Sequence, residues 1–446
     1  MLKITDDQRK FLRLLFVVAP PVALQEVLNA SVNMVDTLMI GRAMGVTQVT
    51  AVGLAHQVTF LFILMSFGII SASGVFSGQY FGKGDIASIH KIMGIGFLGT
   101  TLAALLFFVA GFFFSYQVIG IYSDDPLVIE QGAAFLRIIS FGYFIHAITI
   151  TRNSAMRSMR ETKIPMVTTA IALGLNLVFN YFVIFVFEMG LAGVAASTLL
   201  VRIIELFVQE YFIRRYKVPI KAPIKNYFDF NVKFLKDFFK IGIFIVFNEI
   251  TWAFGFSIYN IAYGIVGTEA QGSIQLSMAM VGLFQVFGNS LAISTSIIVS
   301  NTLGASKNKT ATKYARWGLW FGIGTSVIMG GFLAIFAPAI ASIYNLPPHV
   351  EIYITNILLI ASFTMLFRIG NFIMIVGILR SGGDTKWCFY LEMITMYLVG
   401  LPLAFFGAIM GMSIYIVFLM AMCEEVVKFL VALRRVLSDK WANTIV

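Results

Sequence analysis

The chain has 446 residues, 59% of them hydrophobic and only 12% charged, with a mean hydropathy of +0.88 and a formal net charge of +10. A soluble domain carries about 25% charged residues, so this composition excludes one and puts the chain in a bilayer. The basic balance does not signal nucleic acid, because the charges sit at the ends of apolar segments. Two cysteines, Cys388 and Cys423, and four scattered histidines exclude a disulfide framework and a metal cluster.

A helical span needs about 20 mostly apolar residues. Segments of that length fall at roughly 14–40, 52–80, 92–117, 130–152, 165–187, 191–213, 239–264, 271–302, 313–338, 351–377, 387–407 and 411–434. The fold class predicted is an all-α polytopic membrane protein of twelve transmembrane helices. An outer-membrane barrel would alternate in ten-residue segments instead. The basic start (Lys3, Arg9, Lys10, Arg13) leads into a span-length apolar run without a small-residue cleavage site, so it reads as a retained first helix.

All but four of the 32 Lys and Arg then lie at the two chain ends or in alternate loops, 83–91, 152–163, 214–240, 307–316 and 380–386. The exceptions are Arg42, Arg137, Arg202 and Arg368. Basic residues collect on the cytoplasmic side, which predicts cytoplasmic termini. The opposite loops, such as "SDDP" (123–126) and "NLPPHVE" (345–351), contain neither Lys nor Arg.

The phrases "RSMRETK" (157–163) and "RSGGDTK" (380–386) disclose an internal repeat. At an offset of 222, Gly45 falls on Gly267, Phe62 on Phe284, Lys91 on Lys313 and Pro126 on Pro348; with one residue of drift Glu26 falls on Glu249 and Arg157 on Arg380. Six spans per half is an even number, so the repeat is parallel. The predicted organisation is an N-terminal lobe at 1–213, a basic cytoplasmic linker at 214–238 and a C-terminal lobe at 239–446. Two such lobes are transporter architecture, with a substrate site between them. "GQYFGKGD" (78–85) misses the phosphate-loop spacing, which leaves an ion gradient as the energy source. "GIGFLG" (94–99) fits G-x-G-x-x-G but opens a membrane span, so close helix packing accounts for it. The repeated loop phrases themselves are read as orientation and turn elements without transport chemistry.

Three phrases carry a family resemblance: "VDTLMIGRAMG" (35–45), "SGQYFGKGD" (77–85) and "GILRSGGDTK" (377–386), joined by "FNEITWAFG" (247–255). They resemble multidrug and toxic compound extrusion (MATE) transporters of the bacterial NorM and DinF-like kind, in order and in both halves. The resemblance implies a V-shaped pair of six-helix lobes and export of organic, amphipathic cations in exchange for H+ or Na+ by alternating access. It further implies a monomer in the plasma (inner) membrane and no enzyme activity, cofactor or resident metal. The nearest alternative is a flippase for a lipid-linked precursor, which would need several Arg or Lys to hold phosphates; Arg137, Arg202 and Arg368 are the ones available.

Ionisable groups at membrane depth are costly and functional by default. Glu26, Asn29, Asn33 and Asp36 are spaced by three, four and three, which places them on one helical stripe. Asp36 matches the family's helix 1 coupling aspartate; Asn176, Asn180 and Thr198 resemble the network around it, and Glu249 resembles a C-terminal-lobe cation ligand. Glu26, Asn33, Gln275, Met278, Gln285, Asn289, Arg368 and Asn371 are the candidates for the substrate cavity, and a salt bridge from Arg368 to Glu249 is the alternative to a coupling role for Glu249. Arg202 and Glu205 read as an intrahelical pair, and His56 and His146 as hydrogen-bonded bystanders. Function is expected where the repeat breaks, since Asp36 falls on Ile258 and Asn176 and Asn180 on Leu398 and Pro402.

Overall fold

The computed structural model describes residues 5–344 and 346–446; the side chains of residues 32–35 and of Val46 lie outside the described residues. Among the described residues, twelve long helical elements follow one another. In the first half they are α1 (Asp6–Ala43), α2 (Val46–Lys83), α3 (Ile86–Phe113), α4 (Pro126–Ile139 and Gly142–Ser158), α5 (Lys163–Tyr181, continued by a π turn to Val186) and α6 (Gly190–Arg215). In the second half they are α7 (Val232–Val266), α8 (Thr268–Gly304), α9 (Asn308–Ile343), α10 (Pro348–Gly382), α11 (Thr385–Ile409) and α12 (Ile414–Leu437).

Ten of these are long and apolar enough to cross a bilayer, and α4 joins them if its two pieces, bent by 49°, count as one span. The bend falls at Ser140, whose hydroxyl donates back to the Arg137 carbonyl at 2.7 Å, with Gly142 opening the second piece; a serine and glycine in this arrangement is a recognised cause of kinks. The remaining helix, α12, has 24 residues. It is the most charged of the spans read from the sequence near its centre, with Glu424, Glu425 and Lys428 inside its apolar run.

The repeat is written into the backbone as well as the sequence. Left-handed residues occur at Gly45 and Gly267, Gly84 and Ser306, Arg160 and Gly383, Gly190 and Gly411, and Lys217 and Asp439, five pairs separated by 221 to 223 residues. These conformations are rare outside glycine, so their recurrence marks equivalent turns. At Gly84 the residue ends α2, and Asp85 then caps α3 by accepting from the Ser88 backbone N–H at 3.0 Å. The pairing accounts for "FGKGD" as turn chemistry. Partial burial pushes the Asp85 pKa up, but the bonds from Ser88 and the nearby Lys83 and Lys91 outweigh it and hold the carboxyl below its usual range.

By packing, the chain divides into two compact units, one spanning Leu24–Phe239 and the other the chain up to Ala23 with Lys240–Val446. In the first, α2 packs on α3 and on both pieces of α4, and α5 on α6; Ala51, Ala55, Ile119, Phe135 and Leu136 are among its buried residues. In the second, α8, α9 and α10 pack together and α10 packs on α12, around Ile354, Leu358, Ile373, Ile378 and Phe418.

The basic segment after α6 docks on α3. His90 Nε2 lies 2.8 Å from the Pro219 carbonyl, Lys91 pairs with Asp229 at 3.4 Å, and Tyr227 donates its hydroxyl to Ile220 O at 2.6 Å. "GIGFLG" provides the floor, since a Cβ on Gly94 would stand 1.8 Å from Tyr227 O. Gly94→Ala is therefore expected to undock residues 217–231 while the spans stay folded. Faster amide hydrogen exchange or new proteolytic cleavage in that segment, with unchanged helical circular dichroism, is the measurement.

Candidate functional site

In the unit Leu24–Phe239, Asp36 on α1 is buried at 3% exposure. Asn180 on α5 donates Nδ2 to Asp36 Oδ1 at 2.6 Å and also approaches Asn176 Oδ1 at 3.4 Å. The Asn180 carbonyl oxygen accepts from the Ser197 hydroxyl on α6. The i, i+4 spacing of Asn176 and Asn180 puts both amides on one face, as the sequence suggests. The α6 contribution differs from expectation: Thr198 donates to the Val194 carbonyl of its own helix at 3.0 Å, and its neighbour Ser197 reaches the network. Ser197 Oγ also lies 2.9 Å from Val194 O, so its single hydrogen has two acceptors.

Arg42 is exposed at the last turn of α1. Arg202 pairs with Glu205 at 3.3 Å. The two histidines are not hydrogen-bonded bystanders: His56 Nε2 and both ring nitrogens of His146 are buried without a hydrogen-bond partner. Their rings pack edge-on against Phe135 and Phe62 respectively, and aromatic contact is what holds them. Of the α1 stripe, Asn29 is exposed, and the Asn33 side chain lies outside the described residues.

The repeated loop phrases each contribute an arginine to an ion pair, half-buried in the first half and buried in the second. In the first unit Arg157 Nη2 donates to Glu26 Oε1 at 2.9 Å and to Gln25 Oε1 at 2.6 Å. In the second, Arg380 Nη2 donates to Glu249 Oε1 at 2.8 Å and to Asn248 Oδ1 at 2.9 Å. Each half thus clamps its own first helix to the end of its own fourth through an arginine, a glutamate and the amide just before it. Arg380 is no loop residue, since α10 runs on through it and buries it to 3% exposure. The salt bridge weighed as the alternative for Glu249 is made, but by Arg380 in place of Arg368, and that arginine comes from the equivalent position of the repeat. Arg368 instead points Nη1 at Met278 Sδ, 3.9 Å away.

Of the remaining candidates, Gln275 donates to Asn260 Oδ1 at 3.0 Å, Gln285 is half-buried, and Asn289 Oδ1 is buried without a partner. Asn371 donates to Glu425 at 2.6 Å. That contact leads to a group the sequence reading passed over. Lys428, counted there with the basic C-terminal end, is buried and lies 2.8 Å from Glu392 and 3.7 Å from both Glu424 and Glu425. The "EEVVK" spacing of three and four within an apolar span was the available signal.

With this geometry in view, the chain finds its relatives. Residues 21–182 and 245–406 each match the model of the MatE family, so the repeat is the family's own, and the chain belongs to that family of membrane transporters. It is similar to the uncharacterized transporter YisQ of Bacillus subtilis (strain 168), 25% identical over 438 residues that cover 96% of this chain and 94% of that protein. The multidrug resistance protein MdtK of Photorhabdus laumondii subsp. laumondii is 25% identical over 419 residues, 91% of this chain and 89% of that one. Among solved structures, an aspartate-to-asparagine mutant of the Vibrio cholerae MATE transporter VcmN superposes with a TM-score of 0.88 at 16% identity, covering 97% of this chain and 98% of that one.

The two clamps differ in burial, with side-chain exposures of 3% and 14% for Arg380 and Glu249 against 18% and 29% for Arg157 and Glu26. Removing one partner of a buried pair costs about 3 to 5 kcal/mol, because the other charge is stranded. Arg380→Gln is expected to destabilise by that order and Arg157→Gln by less, with Glu249→Gln in the Arg380→Gln background restoring most of the loss. Thermal unfolding of the detergent-solubilised variants measures it.

Proposed function

We propose that the chain is a secondary active multidrug efflux antiporter of the plasma membrane, with both termini cytoplasmic, that exports organic amphipathic cations in exchange for H+ or Na+ by alternating access. The single observation that carries this reading is the buried Asp36, held by a neutral amide in the membrane-spanning part of the chain. A carboxylate placed so can bind one cation at a time, proton, sodium or substrate charge, and competition among them is what exchange requires. Supporting it, the relatives include proteins named for multidrug resistance.

The hydrogen bonds around Asp36 suggest how the bound state is passed on. As arranged, Asn180 presents its N–H to the carboxylate and its carbonyl to Ser197, which suits a charged Asp36. A protonated Asp36 needs an acceptor. Rotation of the Asn180 amide supplies one, and the Ser197 hydroxyl then turns its hydrogen to Val194 O, already 2.9 Å away. Proton or cation uptake at α1 is thereby converted into a rearrangement between α5 and α6.

The flippase alternative finds less support. Arg202 is taken up by Glu205, Arg137 lies over the Tyr116 ring at 5.0 Å, and Arg368 is turned to Met278. None forms a shared cluster suited to a phosphate.

Inside-out vesicles with imposed proton or sodium gradients provide the test. Asp36→Asn is expected to reduce gradient-driven uptake of an organic cation to the level of vesicles without the protein, under whichever gradient drives the wild type. Full gradient-driven uptake in Asp36→Asn would remove the coupling role. Ser197→Ala is expected to keep transport but shift its pH profile, since the amide loses its switchable partner; an unshifted profile would assign Ser197 to packing alone.

A further inference from the structure

The interior of the unit containing Lys240–Val446 holds charges that do not cancel. Glu392 on α11 and Glu424, Glu425 and Lys428 on α12 meet there, with side-chain exposures of 7%, 4%, 15% and 4%. From α10, Arg368 lies close enough to Glu425 to act on it electrostatically. From α7, Tyr259 donates its hydroxyl to Glu424 Oε2 at 2.9 Å, and Tyr263 faces the same carboxyl. Glu249 and Arg380 are near Glu392 and Cys388 but neutralise each other. Three carboxylates against one ammonium and one guanidinium leave an excess of one negative charge.

Lys428 divides itself unequally. Its 2.8 Å contact with Glu392 is a charge-assisted hydrogen bond, whereas the 3.7 Å separations from Glu424 and Glu425 are not. Glu425 has Asn371 Nδ2 at 2.6 Å and the Arg368 charge nearby. Glu424 is left with a tyrosine hydroxyl. An uncompensated carboxylate in this setting is strongly unfavourable, so the cluster calls for one more positive charge.

A second observation, independent of the charge count, points the same way. Asn371 is 3% exposed, and its carbonyl oxygen Oδ1, geminal to the Nδ2 that serves Glu425, is buried without any donor. A buried carbonyl without a donor beside a carboxylate is a place for a cation or for an O–H. The backbone around it is also irregular: π turns occupy Ile373–Leu379 of α10 and Met396–Gly400 of α11, and such turns collect at functional sites. Gly400 lets the second of them come close, since a Cβ there would lie 1.8 Å from Tyr259 Oη and 2.6 Å from Glu424 Oε2.

We infer that Glu424, Glu425 and Asn371 form a site for one monovalent cation, a proton or a sodium ion, in the core of the C-terminal repeat, beside the neutral Glu392–Lys428 pair. The site is distinct from Asp36 and from the Glu249–Arg380 clamp. Its occupancy is a binding property, so it stands or falls separately from the antiport reading.

The test uses the full chain in lipid nanodiscs, in an Asp36→Asn background that removes the Asp36 carboxyl, which, among the described residues, no basic side chain contacts. At neutral pH, either infrared spectroscopy in sodium-free buffer is expected to show the C=O stretch of a protonated carboxyl, or radioactive sodium added in a separate measurement is expected to bind with a stoichiometry of one per chain. The first result assigns the proton and the second the sodium ion. Glu424→Gln and, separately, Glu425→Gln each cancel the excess charge and are expected to abolish the signal. Glu392→Gln with Lys428→Gln removes a neutral pair, and the signal is expected to survive. Absence of both signals in the parent, or their persistence in both single variants, overturns the site.

Discussion

Every charge inside a bilayer must be answered locally, and the rest of this structure is arranged around that requirement. Water cannot solvate a carboxylate at that depth, so each one selects its neighbours. Asp36 is met by Asn180, Glu26 by Arg157, Glu249 by Arg380, and Glu392 by Lys428. These contacts join helices remote in sequence, α1 to α5, α1 to α4, α7 to α10 and α11 to α12. Apolar packing between membrane helices is weakly directional, because lipid tails compete for the same faces. The polar contacts fix which helices meet and in what rotation, and the apolar residues fill in around them.

The two repeats meet the requirement alike at one place and differently elsewhere. The arginine clamps are shared, and with the five paired left-handed turns they define what a half of this chain is. The titratable interiors diverge. The first half concentrates one carboxylate with amides and a serine, while the second gathers three carboxylates with a lysine and an arginine.

Much of the fold was legible because its causes are local. Span length, basic loops and the 222-residue echo depend on short stretches of sequence, and the helices appear where the apolar runs are. Asp36 and Asn180 were legible as polar residues at helical spacing, although their hydrogen bond needed the structure. Three features were not legible for a shared reason, that partner choice in a helix bundle is a long-range fact. Glu249 takes Arg380, 131 residues on, and not Arg368, and no periodicity ranks those two. Ser197 and Thr198 are adjacent hydroxyls whose roles are decided by a helix rotation. Arg380 and Lys428 look like boundary charges, because a short basic cluster near an apolar end reads the same whether the helix stops before it or carries it inward.

The charge-bearing last helix also bears on how the protein is made. Charged residues near a helix centre cost about 2.5 to 3.5 kcal/mol each on insertion scales, and α12 carries Glu424, Glu425 and Lys428. Alone it is a poor substrate for the insertion machinery. Its answering groups, Glu392, Asn371 and Tyr259, stand on helices synthesised earlier. Insertion of α12 is therefore expected to be a templated step, in which the preceding helices of the repeat act as an internal chaperone for it.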